Sequence, residues 1–220
     1  MLDALAHALA PNVPIACGSG ETAIAEDERR LDDLLGEGRA IDRVRLWTNS
    51  RCLVTTRRFA RMDRFAEAAA ASSARGWPVF VRASGGTTVV HRPGILNFSV
   101  YDIAPAEAID ITARFERFTR RLIAGFADVG VTAETGSIAG SYCDGRFNIV
   151  SGGQKIAGTA CLVRKRGGRI GVLAHAAISI DGDTHADLAA ITEFERALGF
   201  DIPYVQAAHT NLAARIRVAR

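Results

Sequence analysis

The chain has 220 residues, of which 48% are hydrophobic and 23% charged, and its net charge is +3. This composition suits one large domain with a substantial core. No long run of Lys and Arg predicts nucleic-acid binding, and no apolar run approaches the roughly 18 residues of a membrane-spanning helix. The four cysteines have neither CxxC nor zinc-like spacing, so we predict no metal site and a reducing, cytoplasmic location.

The order of elements predicts an α+β fold. Residues 1–20 mix Ala, Pro and Gly and predict a loosely attached arm, and residues 21–220 predict a single domain without a large C-terminal accessory domain. In the first half we predict a helix over 21–35, strands over 44–47 and 52–56, a helix over 61–75, and strands over 78–82, 87–91 and 96–101. In the second half we predict a helix over 106–127, strands over 147–151, 154–163 and 169–180, and helices over 186–198 and 211–220. Glycine pairs at 152–153 and 167–168 predict hairpins in a mixed, mostly antiparallel sheet with flanking helices.

The candidate nucleophile is Cys143, in the glycine-flanked sequence GSYCDGRFN of residues 140–148. Flanking glycines let backbone N–H groups approach the sulfur or an acyl group attached to it. Arg146 and Lys155 follow closely, and a nearby cation favours the thiolate. The alternative is a small apolar residue that happens to lie in a loop. Cys52 and Cys161 lie in apolar strands and are predicted to be packing residues.

Lys155 is the second candidate catalytic residue. The chain has only one other lysine, Lys165, because the rest of its positive charge is arginine. An amine is a compact charge that can bond an acyl carbonyl or a phosphate, and its pKa shifts easily on burial. The competing interpretation is a solvated charge at a hairpin tip.

A second glycine-bearing run, RASGGTTVVH, covers residues 82–91. Its Ser84-Gly85-Gly86 turn follows a strand and could bind an anion through backbone amides, although a simple tight turn is the default interpretation. It matches neither a Walker loop nor a dinucleotide fingerprint. His91 is a candidate base or phosphate ligand, or else a structural histidine. His175 lies in an apolar strand, where core packing is the leading interpretation.

Residues 82–91 resemble the RRxSGGGxVxH signature of the lipoate–protein ligase and octanoyltransferase family, which shares its fold with the biotin protein ligases. Residues 153–160, GQKIAGTA, are similar to that family's G-[RK]-K-[VI]-[AS]-G-[ST]-A element. The resemblance covers about residues 21–183. It implies a biotin/lipoyl protein ligase catalytic-domain fold, a lysine at position 155 that contacts the acyl carbonyl, and an acyl pocket lined by the SGG segment. The substrate-binding residues that it implies are Arg82, Ser84, Gly85, Gly86, Thr87, His91, Asn97, Gly158, Thr159 and His175.

Within the family, the GSYC of residues 140–143 resembles the cysteine-dependent amidotransferases, which pass an octanoyl group between lipoyl domains through a cysteine thioester. Residues 94–99, GILNFS, resemble the G-[VI]-L-N-x-S of that branch. The chain departs from the family pattern at three positions. Thr87 replaces the third glycine, Arg92 stands where ligases commonly have Asp, and Val81 replaces the first Arg. These departures weigh against nucleotide binding.

The resemblance therefore implies transfer of an octanoyl or lipoyl group to a lysine of a lipoyl-domain protein, of the glycine-cleavage H type or the 2-oxoacid dehydrogenase E2 type. Cys143 would carry the acyl group, Lys155 would assist, and no cofactor would be required. A first alternative is an ATP-dependent lipoate ligase that forms a lipoyl-adenylate and uses ATP and Mg²⁺. A second is a non-catalytic binding subunit with the same fold. No nucleic-acid or membrane partner is expected.

Overall fold

The computed structural model describes residues 1–37, 43–105 and 110–218. Its helices are α1 (Leu2–Leu9), α2 (Gly20–Glu37), α3 (Arg57–Ala60), α4 (Phe65–Ala74), α5 (Ile111–Asp128), α6 (Thr184–Ala197) and α7 (Leu212–Val218), with a 3₁₀ turn at Gln206–Ala208. Its strands are β1 (Ile15–Cys17), β2 (Val44–Thr48), β3 (Cys52–Thr56), β4 (Val79–Arg82), β5 (Val89–His91), β6 (Ile95–Pro105), β7 (Glu134–Thr135), β8 (Ile149–Ser151), β9 (Gln154–Arg166) and β10 (Arg169–Ser179). Among the described residues, no helix has the length and apolar composition needed to span a bilayer.

Two sheets form the framework. The large one has the order β1-β2-β6-β10-β9-β8-β7, and the small one has the order β4-β3-β5. Among the strand pairs of the described residues, β1–β2 and β3–β4 are parallel and the others antiparallel, which confirms the predicted mixed, mostly antiparallel α+β fold. The hairpins at 152–153 and 167–168 are also confirmed. All four of their glycines have positive φ, between +53° and +73°, as turns matching the twist of paired strands require.

The large sheet has two differently covered faces because successive strand residues point to opposite sides. On one face, Phe98 packs with Phe118, Leu122 and Phe126 of α5. The other face is covered by α2 and the small sheet. Helix α6 packs against β5 of the small sheet and against α4. The candidate site lies between the large sheet and this second cover.

The N-terminal segment differs from its prediction. Leu5 and Leu9 of α1 are buried against α5, the Arg121 Nε donates to Leu9 O at 2.8 Å, and β1 adds a parallel strand beside β2. The prediction of a loosely attached arm is wrong. Leu2, Leu5 and Leu9 have helical spacing, and burial of Leu5 and Leu9 fixes the segment on α5.

The other helix predictions need smaller corrections. The helix predicted over 61–75 begins only at Phe65, as α4, because residues 61–64 form a turn; the short α3 before that turn was not predicted. α5 begins at Ile111, where the Asp110 carboxylate accepts the N–H of Ala113 as an N-cap. Residues 106–109 and 219–220, which two predicted helices include, lie outside the described residues.

Candidate active site

A cavity lies between the large sheet, α2 and the small sheet. Its floor is formed by alternate residues of two paired strands, in the cross-strand pairs Gly158–Ala177, Ala160–His175 and Leu162–Leu173. Its other walls come from α2, β2, β3, β5 and the end of β4, and they include Ile24, Asp27, Glu28, Trp47, Val54, Arg82, Ala83, Ser84, Val89 and His91. The cavity is mainly apolar, and the polar side chains that line it form hydrogen bonds with other groups of the protein.

The floor gives the cavity a direction. Leu162 lies four positions after Gly158 along β9, which corresponds to about 13 Å at ~3.3 Å per residue. At the Leu162 end, Leu162 and Leu173 pack with Leu31 and Leu35 of α2, which close the cavity. At the Gly158 end lies Cys143, whose carbonyl accepts from Lys155 and Asn148. The thiol therefore stands at one end of an apolar slot whose other end is closed by leucines.

The backbone of Cys143 is in the left-handed region, with φ of +45°, a conformation that costs a non-glycine residue about 1–3 kcal/mol. In this conformation Sγ accepts the N–H of Thr87 at 3.2 Å and lies 3.9 Å from the Arg82 Nη2. Burial raises the pKa of the Cys143 thiol, but the charges of Arg82 and Lys155 and the Thr87 N–H outweigh it. The net pKa is lowered, so the site favours a thiolate.

Arg82 builds the loop that faces this thiol. Its Nη1 donates to Val54 O at 3.0 Å, and its Nη2 donates to Gly85 O at 3.0 Å and to Thr87 O at 2.9 Å. These bonds fold residues 85–87 around the guanidinium. The loop thereby presents the Thr87 N–H and a buried cation to the same sulfur.

Gly86 permits the close approach of this loop to the thiol. A Cβ at Gly86 would lie 2.6 Å from the Cys143 Sγ, and the residue has φ of +104°. Both the contact and the backbone conformation exclude a side chain. By contrast, no described atom lies within 4 Å of a Cβ built on Gly85.

Lys155 lies behind the nucleophile. Its Nζ donates to Tyr142 O and, at 3.0 Å, to Cys143 O. Burial lowers the pKa of Lys155 to about 8. The amine borders a smaller neighbouring cavity rather than the apolar slot. Gly158 lines both cavities, and a Cβ built on it would lie 3.5 Å from Nζ.

Both candidate histidines are wall residues of the slot. Burial lowers the pKa of His91 to about 3 and that of His175 to about 4. The His91 ring meets Trp47 edge-on at 5.3 Å, and His175 Nε2 lies 2.8 Å from Ser84 Oγ. Imidazoles with such low pKa values are weak bases, so these two line the slot without serving as a strong general base.

A groove also borders Cys143. Gly85 and Gly86 border this groove rather than the slot, whereas Thr159 borders both. Asn97, predicted to bind substrate, is not among the residues lining either. It is buried in β6, and its Nδ2 has no partner among the described residues. The groove gives Cys143 a second approach, separate from the slot.

Several residues of the site carried no clear sequence signal. The Asn148 Nδ2 donates to Cys143 O at 3.2 Å and its Oδ1 accepts the Thr159 N–H at 3.2 Å, so it joins the loop to β9. His209 accepts the N–H of Tyr142, although a lone distant histidine offers no local pattern. Arg92 pairs with Asp187, to which its guanidinium donates two hydrogen bonds at 2.8 and 2.6 Å.

Comparisons with known proteins identify the family and relatives of this chain. The family model of the lipoyl protein ligase A/B catalytic domain matches residues 20–213. An octanoyl-[GcvH]:protein N-octanoyltransferase of Kyrpidia tusciae is 38% identical over 116 residues, which are 53% of this chain and 40% of that protein. The enzyme of the same name from Geobacillus kaustophilus is 31% identical over 168 residues, or 74% of this chain and 59% of that protein. The chain thus spans about half the length of these relatives.

A crystal structure of lipoate-protein ligase A bound with ATP has a TM-score of 0.67 to this chain, at 20% identity over 94% of this chain and 81% of the other. At that identity the likeness concerns the fold, and it confirms the prediction of a lipoyl protein ligase catalytic-domain fold.

Proposed function

The chain belongs to the lipoyl protein ligase A/B catalytic-domain family, and we propose that it transfers an octanoyl group between lipoyl-domain proteins through a thioester on Cys143. The observation that carries this proposal is the environment of the thiol. Sγ faces a buried arginine and a backbone N–H at the open end of an apolar slot. The names of the octanoyltransferase relatives supply the acyl group and the donor class.

The first step is attack of the Cys143 thiolate on the carbonyl carbon of an octanoyl-lysine amide. A sulfur–carbon bond forms, the carbon–nitrogen bond breaks, and the departing lysine amine takes up a proton. The negative charge passes from the sulfur to the carbonyl oxygen in the transition state. The Thr87 N–H and the Arg82 cation, which stabilise the thiolate, then face that oxygen, and one such donor contributes about 3–4 kcal/mol.

In the second step, the lysine amine of an acceptor domain attacks the thioester. A nitrogen–carbon bond forms, the thiolate leaves, and the amine nitrogen loses a proton. The groove beside Cys143 is open and has lining residues that the slot lacks, among them Gly86 and Asn148. It therefore suits entry of a lysine side chain from another protein while the acyl tail stays in the slot.

The slot suits an eight-carbon tail. Its floor of about 13 Å exceeds the extended chain, which is about 9 Å for seven zigzag carbon–carbon bonds of about 1.5 Å. Burial of six methylenes at about 0.8 kcal/mol each contributes roughly 5 kcal/mol to binding. We propose that this burial, rather than charged contacts, selects the acyl group, and that either an H-type or an E2-type lipoyl domain serves as partner.

ATP-dependent ligation is the second candidate function, since ligases share the fold. A nucleotide phosphate at this loop would compete for the Arg82 guanidinium and the Thr87 N–H. Here the Arg82 guanidinium is bonded to the carbonyls of Gly85 and Thr87, and the Thr87 N–H is directed at Sγ. These contacts favour transfer without ATP or Mg²⁺.

The test is intact-mass spectrometry of the protein after incubation with an octanoylated donor domain in the absence of ATP. We expect one octanoyl adduct on Cys143, and loss of adduct and of transfer by at least ~10³-fold in Cys143→Ser, since a serine hydroxyl in place of the thiolate is a weak nucleophile. Cys17→Ser, which removes an exposed thiol in β1, is the matched control and should retain both.

Full transfer by Cys143→Ser would refute the thioester. Pyrophosphate release that depends on free lipoate would support the ligase instead. Binding of an octanoylated domain without turnover of any acyl donor would identify a non-catalytic subunit.

A further inference from the structure

Residues 205–210, here called the clamp segment, run between the Cys143 loop and the start of β9. The Val205 N–H donates to Gly140 O at 2.8 Å, and the Thr210 N–H donates to Lys155 O at 2.9 Å. The Gln154 side chain adds bonds to the carbonyls of Ala207 and His209, at 2.8 and 3.1 Å. The clamp segment therefore joins the loop of the thiol to the strand of the amine.

His209 is the buried side chain of this segment that contacts the loop. Its Nε2 lies 3.2 Å from the backbone nitrogen of Tyr142, and its Nδ1 lies 3.0 Å from Val205 O. A carbonyl oxygen can only accept and a backbone N–H can only donate. The partners therefore require the neutral tautomer with its proton on Nδ1 and its lone pair on Nε2 directed at the Tyr142 N–H.

The surroundings keep the ring neutral and in place. Burial and the nearby Lys155 charge lower the pKa of His209 to about 4. The ring stacks on Tyr142 at 4.8 Å with an interplanar angle of 11°. Lys155 of β9 and Tyr142 of the loop are the titratable groups facing it, and Asp187 of α6 lines the same small cavity but is paired with Arg92.

We infer that His209 is a positioning residue that holds the Tyr142–Cys143 backbone in the strained conformation aiming the thiol at Arg82 and Thr87. Its bond to the Tyr142 N–H fixes one end of the turn. The carbonyls of Tyr142 and Cys143 are fixed from the other side by Lys155 and Asn148. Without the histidine bond the N–H of Tyr142 would be buried without a partner, and the turn would relax toward ordinary φ and carry Sγ away from Arg82.

Any effect of His209 on acyl transfer rests on the proposed function, but its effect on the ionisation of the Cys143 thiol does not. His209→Phe keeps a stacking ring and removes both nitrogens. We expect it to raise the pH midpoint of Cys143 alkylation by about one unit. Sγ would move away from the Arg82 charge and the Thr87 N–H, and contacts of this kind shift a pKa by about 1–3 units. In His209→Gln the side-chain oxygen reaches the place of Nε2 and can accept the Tyr142 N–H. In His209→Asn the oxygen lies near the place of Nδ1 and cannot.

The experiment measures iodoacetamide alkylation of Cys143 against pH by peptide mass mapping, on the full chain without any acyl donor. The expected result is a raised midpoint in His209→Phe and His209→Asn and a midpoint near the wild-type one in His209→Gln. His185→Phe, at an exposed histidine of α6, is the matched control and should keep the wild-type midpoint.

An unchanged midpoint in His209→Phe overturns the inference. Should that variant fail to fold in urea titrations, equal midpoints in the Gln and Asn variants overturn it instead. Failure of the proposed function is a separate result, since it shows as the absence of an octanoyl adduct on the wild-type protein whatever the alkylation midpoint.

Discussion

The loop that carries Cys143 and the strands that carry Cys52 and Cys161 place thiols in very different environments. Burial raises the pKa of Cys52 to about 12 and that of Cys161 to about 11. Burial also opposes ionisation of Cys143, yet its pKa is lowered. Desolvation acts on all three thiols, so the difference comes from what faces each sulfur.

Access alone does not explain the contrast, because Cys161 and Cys143 border the same groove. Cys143 faces Arg82 and the Thr87 N–H from a loop and has Lys155 behind it. Cys161 lies within β9, opposite Ala174 of β10. Directed donors and cations therefore lower the pKa of one thiol, while burial raises that of a neighbour in the same groove.

The largest effect on this contrast is expected from Gly86→Ala. The new methyl group would lie 2.6 Å from the Cys143 Sγ at a residue with φ of +104°, so the thiol must move away from its donors. We expect acylation of Cys143 to slow about 100-fold, as misplacement of a reacting group by about 1 Å can cost. Single-turnover mass spectrometry with an octanoylated donor measures this rate.

Gly85→Ala is the matched control for this change. No described atom lies within 4 Å of its new methyl group, so its acylation rate should exceed that of Gly86→Ala at least ~10-fold. Equal rates in the two variants would show that the thiol does not depend on the close approach at Gly86.

Arg82→Gln should remove much of the difference between the two groove thiols. An opposite charge within 4–6 Å shifts a pKa by about 1–3 units, so the alkylation midpoint of Cys143 should rise by at least ~1 unit. At pH 7 the alkylation rate should fall about tenfold. Iodoacetamide labelling with peptide mapping over a range of pH measures both.

Cys161 serves as the internal control in the same experiment. Its pKa is raised by burial alone, so its labelling should be slow below pH ~10 in both proteins. A Cys143 midpoint that Arg82→Gln leaves unaltered would contradict the assignment of Arg82 as the main cation facing the thiol.

A smaller effect, on the pH dependence of stability, is expected from the Lys155 amine behind the Cys143 loop. The pKa of Lys155 is about 8 in the folded protein against 10.5 ordinarily. Between those values the unfolded chain binds the extra proton, so stability increases as the pH rises from 8 to 10.5, by up to ~3 kcal/mol. Lys155→Met should abolish this increase in urea unfolding. Lys165→Met, at the exposed lysine of the β9–β10 hairpin, should retain it.

The sequence predicted the framework because its signals are local. Alternating strands, glycine pairs and the amphipathic α2 and α5 were predicted close to where the structure has them. The exception is α1, whose helical state depends on leucines that pack against α5. That contact joins distant parts of the chain, and composition alone indicated an arm.

The site was predictable where residue type and loop flexibility suffice. Residue type, neighbouring glycines and the family motifs indicated Cys143 and Lys155 as separate candidates, and the structure brings them together through the Cys143 carbonyl. The direction of the Lys155 amine, toward carbonyls rather than into the slot, depends on tertiary packing. His209 contacts Tyr142 only through the fold, so no spacing rule could have assigned it.

Lys155 also has a consequence for the lifetime of such an enzyme. A primary amine close to a thioester on Cys143 could attack it and form a stable amide, which would inactivate the protein after one turnover. Near neutral pH this amine is mostly protonated, with its pKa of about 8, and its protons are engaged by the Tyr142 and Cys143 carbonyls. The protonated amine has no free lone pair to attack the acyl carbon, so the proposed transfer can repeat without inactivating the protein.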